Sequence, residues 1–104
     1  MISLSTAALE QIRRSADTSD LQSMPLRIAV KQLDDDSLHY AMGFDEHKLP
    51  GDTFFNFDGV DLVVSTGSKD LTDGMTIDYV ELEPGKLEFI FLNPNDPAYV
   101  PPRD

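Results

Sequence analysis

Residues 26–44 read LRIAVKQLDDDSLHYAMGF, and this stretch determines the kind of fold the chain can adopt. Leu26, Ile28 and Val30 alternate with charged or small residues, and the apolar residues of the segment 38–44 alternate in the same way. A period of two residues is typical of a strand with one buried face. The acidic segment between the two runs predicts a loop, so this stretch is predicted to form two strands joined by an acidic loop.

The residues before this stretch have the period of a helix. Ala8, Ile12 and Ala16 fall on one face of a helix over residues 5–16, and a helix packs such a face against a core. Ser5 precedes the apolar pattern and is a favourable N-cap, because its hydroxyl can accept a hydrogen bond from a free N–H group of the first turn. The sequence therefore predicts one N-terminal helix.

The residues after position 45 return to the two-residue period. Asp58-Gly59 lies between two short apolar runs, which is a strong signal for a tight hairpin turn. One helix with six or seven short strands predicts a β-rich α+β fold with two small packed sheets. The additional strands are predicted around residues 55–57, 62–64, 75–79 and 87–91.

The C-terminal residues differ in composition from the rest of the chain. Pro97, Pro101 and Pro102 exclude a central strand here, because proline lacks the N–H group that a sheet ladder uses. We therefore predict one domain over residues 1–95 and a flexible, proline-containing tail over residues 96–104.

The chain is strongly acidic. Its 104 residues include 19 aspartates and glutamates against 8 lysines and arginines, which gives a formal net charge of −11. Such a charge repels nucleic-acid phosphates and anionic membrane surfaces, so neither is expected as a direct partner. The sequence has no basic segment followed by an apolar run at its start and no apolar run of membrane-spanning length. We expect a cytoplasmic protein that binds other proteins or cations.

The sequence contains no cysteine. Zinc–thiolate sites, thiolate-ligated iron–sulfur clusters, disulfides and cysteine nucleophiles are therefore excluded together. The serines lie in no nucleophile motif, and the glycines form no phosphate-binding loop. The sequence thus predicts that the chain is not an enzyme.

Three stretches of the sequence resemble the A-type iron–sulfur carrier family, also called the HesB/IscA/SufA-like family. Their order and spacing make the resemblance specific. They are ISLSTAA at residues 2–8, LRIAVK at residues 26–31 with the strand end FDE at 44–46, and GMTIDYV at 74–80 followed by FIFLNPN at 89–95. The resemblance implies the HesB-like fold, in which an N-terminal helix packs with two small mixed sheets.

In this family, the cluster is held by one cysteine after the first long strand and by a Cys-Gly-Cys pair near the C-terminus. The resemblance places these cysteine positions at Asp35, Val100 and Pro102, with Pro101 at the position of the glycine. Clusters are held by soft thiolates, whereas an aspartate offers a hard oxygen and valine and proline offer no ligand atom. We therefore expect no iron–sulfur cluster and no other cofactor.

Within the family, the sequence resembles a cysteine-poor branch encoded with the dissimilatory sulfite reductase system of sulfur-oxidising bacteria. That resemblance implies an accessory or regulatory protein whose protein partners belong to the sulfur-oxidation or the iron–sulfur machinery. Indirect regulation of the expression of sulfur-oxidation genes is an alternative. The cluster that helps to bridge subunits in the family is missing here, so a monomer is expected.

The best candidate site is the acidic run Asp34, Asp35 and Asp36, with His39 nearby. Carboxylates and an imidazole can bind iron or another divalent metal, so a mononuclear metal site is one alternative function. A solvated loop is the simpler interpretation, since charge runs usually face water. A third interpretation is that a partner protein docks on the three aspartates, with Tyr99 of the tail as a second contact.

Two further residues carry weaker expectations. Phe54 would be an additional partner contact if its ring is exposed, because aromatic residues dominate interface hot spots. His47 has no spacing that pairs it with His39 and a third ligand, so it is predicted to be an ordinary surface histidine.

Overall fold

The structure, a computed structural model, describes residues 2–21 and 24–97 of the chain. Within these two ranges it contains seven strands, one α-helix and one short 3-10 helix. In chain order they are β1 (Ser3–Leu4), α1 (Thr6–Ser19), β2 (Leu26–Gln32), β3 (Leu38–Phe44), β4 (Thr53–Phe57), β5 (Val60–Val64), the 3-10 helix (Asp70–Thr72), β6 (Thr76–Glu83) and β7 (Lys86–Leu92).

The described strands form two mixed sheets. The four-stranded sheet has the order β3-β2-β5-β4, in which β2 is antiparallel to β3 and parallel to β5. The three-stranded sheet has the order β1-β6-β7, in which β1 is parallel to β6 and β7 is antiparallel to it. The predicted β-rich α+β fold, with one N-terminal helix and two mixed sheets, is confirmed.

Helix α1 and both sheets contribute to one hydrophobic core. The alternation predicted for β2 is present, because Leu26, Ile28 and Val30 are at most 5% exposed whereas Arg27 lies on the opposite face. Removal of such apolar side chains from water is the dominant stabilising effect in folding. The buried core cluster comprises Ile2, Ala8, Ile12, Leu26, Ile28, Val30, Leu62, Val64, Met75 and Ile77.

Ser5 caps helix α1 as predicted and also joins it to a sheet. Its hydroxyl accepts a hydrogen bond from the Ala8 N–H group at 3.1 Å and donates to the Asp78 carboxylate of β6 at 2.5 Å. The helix continues beyond the predicted residues 5–16 to Ser19 and is capped by Asp20, which adopts a left-handed φ of 59°. Within the described ranges, this 14-residue helix is too short and too polar to cross a membrane.

Strand β1 is not predicted from the sequence. It has only two residues, and a segment of that length cannot show a period. Its position is fixed by backbone hydrogen bonds from Ser3 N–H to the Met75 carbonyl at 2.8 Å and from Ser5 N–H to the Ile77 carbonyl at 2.9 Å. The N-terminal residues therefore extend the three-stranded sheet before helix α1 begins.

Ser68 completes the four-stranded sheet beyond the point where β5 pairs with β2. That pairing ends at Ile28. The buried Ser68 hydroxyl accepts a hydrogen bond from Val30 N–H at 2.9 Å and donates to the Val30 carbonyl at 3.1 Å. One side chain thus satisfies both backbone groups of Val30 on this side of β2.

Candidate functional site

The acidic loop, residues 33–37, joins β2 to β3. Its ends are closed by a hydrogen bond from Leu33 N–H to the Ser37 carbonyl at 2.8 Å. The Asp35 carboxylate accepts hydrogen bonds from the Ser37 hydroxyl at 2.5 Å and from the Ser37 N–H group at 3.1 Å, and these bonds lower the pKa of Asp35. All three aspartates of the loop are exposed. The loop therefore presents preorganised negative charge to solvent.

The described residues do not support the metal alternative. In residues 2–21 and 24–97, no three histidine, cysteine, aspartate or glutamate side chains are grouped so that they could hold an ion. His39 is exposed on β3, with the half-buried Tyr40 on the opposite face, as expected for a surface histidine. The acidic loop is therefore an exposed, charged segment and not a preformed coordination site among the described residues.

A second group of side chains, here called the tail anchor, holds the chain just after β7. It consists of Asn93, Asn95 and Asp96 together with Tyr40 of β3. The Tyr40 hydroxyl donates to the Asp96 carboxylate at 2.7 Å and accepts from the Asn93 amide at 3.3 Å. The buried Asn93 amide also donates to the Leu71 carbonyl at 2.7 Å. Burial raises the pKa of Tyr40 to about 12, so its hydroxyl keeps its proton at neutral pH.

The tail anchor and the acidic loop lie at the same end of β3. Tyr40 is two residues from Leu38, the first residue of β3 after the acidic loop. The Tyr40 ring stacks on Phe91 of β7 with a centroid separation of 4.6 Å and an angle of 4° between the ring planes. These contacts connect the two sheets close to the acidic loop.

Of the three positions that the resemblance assigns to the family cysteines, one lies on the acidic loop and two follow the tail anchor in the sequence. Asp35 lies on the exposed acidic loop, where it offers carboxylate oxygens that are already hydrogen-bonded to Ser37. Val100 and Pro102 follow the tail anchor in the sequence, and both lie outside the described residues, as does the candidate contact Tyr99. The chain contains no thiolate at any of them.

A further polar centre, the Arg27 cluster, is not predicted from the sequence. The Arg27 side chain is only 11% exposed and donates to the carboxylates of Asp45 at 2.8 Å and Asp52 at 2.8 and 2.9 Å. It also donates to the Ser65 hydroxyl at 2.8 Å and to the His47 carbonyl at 2.9 Å. The cluster fastens the loop between β3 and β4 to the outer face of the four-stranded sheet.

The charges of the Arg27 cluster stabilise one another. Hydrogen bonds from Arg27 lower the pKa of Asp52 to about 2, and hydrogen bonds from the His47 backbone and ring lower that of Asp45 to about 2. The two carboxylates raise the pKa of Arg27. All five N–H donors of the guanidinium are used within the cluster. The guanidinium therefore has no free donor, and its bonds fix the conformation of the loop between β3 and β4.

Phe54 meets the condition for a partner contact. Its side chain lies on β4 at the edge of the four-stranded sheet and is 53% exposed. Its neighbours Phe55 and Phe57 instead pack against the core, as the alternation of β4 predicts. Phe54 is therefore an exposed aromatic side chain beside two that are packed against the core.

Relatives of the chain include a protein named for iron–sulfur cluster insertion, although no protein-family model matches the chain. The iron–sulfur cluster insertion protein ErpA of Marinobacter nauticus is 32% identical over 88 residues, which cover 85% of this chain and 79% of that protein. The crystal structure of Escherichia coli SufA, described as involved in the biosynthesis of iron–sulfur clusters, matches with a TM-score of 0.72 and 28% identity over 89% of this chain and 80% of that chain.

A third comparison concerns the fold alone. The crystal structure of IscA with a [2Fe-2S] cluster matches with a TM-score of 0.74 and 24% identity, and the match covers 90% of this chain and 86% of that chain. The order of the helix and strands described above is thus shared with a protein that holds a cluster. On the identity and coverage of the ErpA match, the chain belongs to the A-type iron–sulfur carrier family.

Proposed function

We propose that the chain is a non-catalytic, cytoplasmic accessory protein that uses the A-type carrier scaffold to bind other proteins and does not itself carry a cluster. One observation carries the proposal: the family scaffold is present while the sequence contains no cysteine. Iron–sulfur clusters depend on thiolate ligands, and no carboxylate or hydroxyl side chain replaces a full thiolate set.

The acidic loop supports the protein-binding part of the proposal. It is exposed, held in one conformation by its own hydrogen bonds, and located where the resemblance places a cluster ligand in the family. A surface that presents a cluster to client proteins is also a surface that those clients can approach. Because the cluster ligands are lost and the scaffold is retained, binding of partner proteins is favoured over transfer of a cluster.

The sequence resembles DsrR, the cysteine-poor A-type-like protein encoded with dissimilatory sulfite reductase in sulfur-oxidising bacteria. On that resemblance we propose partners from the sulfur-oxidation or iron–sulfur maturation machinery, with maturation or regulation as the process served. The net charge of −11 favours partners with basic surfaces and disfavours nucleic acid as a direct ligand.

Reconstitution tests the absence of a cluster. The purified chain is incubated anaerobically with ferrous iron and sulfide beside IscA as a positive control, and iron, acid-labile sulfide and visible absorption are measured after desalting. We expect IscA to acquire colour and this chain to remain colourless. A stoichiometric, coloured cluster on this chain would refute the proposal.

Affinity purification tests partner binding. The tagged chain is purified from a sulfur-oxidising host beside a variant with Asp34→Ser, Asp35→Ser and Asp36→Ser. A second variant with Glu81→Ser, Glu83→Ser and Glu88→Ser removes the same charge from the exposed β6–β7 hairpin and serves as the control. We expect a specific partner that the acidic-loop variant loses and the control retains. Equal recovery with all three proteins would exclude the acidic loop as the contact.

A further inference from the structure

A groove runs between helix α1 and the neighbouring ends of β3 and of the β4–β5 hairpin. It consists of two adjoining depressions, of about 270 Å³ and about 220 Å³, which share Ile12 and Phe44. Both have apolar floors, although they lie on the surface. The apolar side chains of the larger depression are Ile12, Ala16, Met24, Phe44 and Val60.

The rim of the larger depression is acidic. Asp17 lies on helix α1, and Asp58 and Asp61 lie on the β4–β5 hairpin. The cation among the lining residues is Arg13, which pairs with Asp58 at 3.1 Å and also donates to the Asp58 carbonyl. Asp17 and Asp61 form no ion pair with other residues of the described ranges 2–21 and 24–97. Three carboxylates against one guanidinium leave the rim net negative.

The dimensions of the groove favour a peptide side chain over a cofactor. Sites for small molecules usually enclose about 300–1,000 Å³ in one cavity, whereas this groove divides its volume between two open depressions that are each smaller than that. A single leucine or phenylalanine side chain fits such a volume, and two open, adjoining depressions along a helix suit an extended segment of another chain. The acidic loop, by contrast, offers charge without a comparable apolar floor.

We propose that this groove docks a segment of a partner protein in which one large apolar side chain is flanked by lysine or arginine residues. The apolar side chain is buried against Ile12, Phe44 and Val60, while the basic residues face Asp17 and Asp61. The inference rests on the proposed protein-binding function and adds a second binding surface, together with the chemistry of the segment that binds there. Burial of the apolar side chain supplies affinity, and the acidic rim supplies specificity and steering.

A titration monitored by NMR tests the proposal with a defined probe. The full chain, labelled with ¹³C at its methyl groups, is titrated with a synthetic peptide that carries one leucine between two lysine pairs, and with the same peptide carrying glycine instead. We expect saturable shifts of the methyl signals of Ile12, Met24 and Val60. The leucine peptide should bind at least about tenfold more tightly, because only leucine buries apolar surface.

Two matched variants show which carboxylates contribute to binding of the peptide. Asp17→Asn with Asp61→Asn removes two charges from the rim, and Asp34→Asn with Asp36→Asn removes two from the acidic loop. We expect the first variant to bind the leucine peptide about fivefold more weakly than the second. Shifts centred on the acidic loop, equal weakening by both variants, or no dependence on leucine would each overturn the groove assignment. None of these outcomes would contradict the proposed binding of a partner protein, which is tested separately by affinity purification.

Discussion

At the scale of single residues, Arg27 shows how one side chain can hold an irregular segment in place. The loop between β3 and β4 has no regular structure, yet Arg27 binds two of its carboxylates and one of its carbonyl groups. Because the guanidinium is almost buried, loss of Arg27 leaves the Asp45 and Asp52 carboxylates without their cation at a site where the side chain of Asp52 is only 3% exposed.

Replacement of Arg27 by methionine tests this role. Methionine retains most of the apolar stem but leaves Asp45 and Asp52 without their cation, so we expect the free energy of unfolding to fall by about 2–4 kcal/mol. Urea denaturation followed by circular dichroism measures the change. Arg14→Met, at an exposed helix position, is the control and should change the stability by less than about 0.5 kcal/mol. Equal effects of the two substitutions would show that the Arg27 cluster adds nothing to stability.

The same cluster predicts a dependence of stability on pH. The pKa values of Asp45 and Asp52 are about 2 in the folded chain and return to ordinary values near 3.8 on unfolding. Between pH 4 and pH 2 the unfolded state binds more protons, so the free energy of unfolding decreases as the pH falls through this window. Above pH 5 the contribution is fully present.

Urea denaturation at pH 5, 4, 3 and 2.5 follows this contribution. In Arg27→Met the pKa of Asp52 loses its main cause of depression, so the decrease between pH 4 and pH 2.5 is expected to be smaller than in the unsubstituted chain. Parallel pH profiles for the two proteins would contradict the assignment.

At the scale of the elements, the turns distinguish two uses of glycine. Gly51 and Gly59 both have left-handed φ values, of 83° and 90°, but their surroundings differ. A Cβ atom at Gly51 would overlap the Thr66 side chain, whereas a Cβ atom at Gly59 would meet no atom within 4 Å. Gly51 is needed both for its left-handed backbone and because a larger residue would overlap Thr66. Gly59 is needed for its left-handed backbone alone.

Alanine substitutions separate these two contributions. Gly59→Ala introduces the strain of a left-handed alanine, about 1 kcal/mol, and Gly51→Ala adds steric overlap that costs about 1–3 kcal/mol more. The entropy gained from removing a flexible residue in the unfolded chain is similar at both sites and cancels in the difference. Thermal or urea denaturation of the two variants gives the comparison. Equal destabilisation would mean that the Thr66 side chain moves aside without cost.

The elements also show which features of a fold a sequence can reveal. The period of two residues in Leu26–Val30 and the Asp58-Gly59 signal correctly predict a strand and a hairpin, because both are local patterns. Strand β1 is too short to carry a period, and the Arg27 cluster joins residues up to 38 positions apart. Contacts of that kind depend on the tertiary fold, so no local spacing indicates which carboxylate an arginine will meet. The groove beside α1 escapes prediction for the same reason.

At the scale of the whole molecule, the proposed function predicts the oligomeric state of the chain. Without a cluster to bridge subunits, and with a net charge of −11 on every copy, the chain is expected to remain a monomer. Size-exclusion chromatography with light scattering at about 0.1 M salt, where charges are partly screened, should give a mass near 11.6 kDa. A mass of twice that value over a range of concentrations would contradict the expectation.

Restoring the ligands tests whether their loss alone distinguishes this chain from cluster-binding members of the family. The variant Asp35→Cys, Val100→Cys, Pro101→Gly and Pro102→Cys recreates the family pattern. We expect it to acquire a coloured cluster under the reconstitution conditions described above, because thiolates supply the missing soft ligands. The control carries Asp35→Ser, Val100→Ser, Pro101→Gly and Pro102→Ser and should stay colourless. A colourless cysteine variant would show that the scaffold around the ligand positions has also changed.

The hydrogen bonds of Ser68 limit the pairing of β2 with a strand of another chain. A strand with open N–H and C=O groups along one side is a template on which a foreign extended segment can pair, and such pairing is a route to aggregation. At Val30 both groups are already occupied by the Ser68 hydroxyl. Both backbone groups of Val30 are therefore already hydrogen-bonded to one hydroxyl group. A peptide that paired with β2 at this point would have to displace the Ser68 side chain.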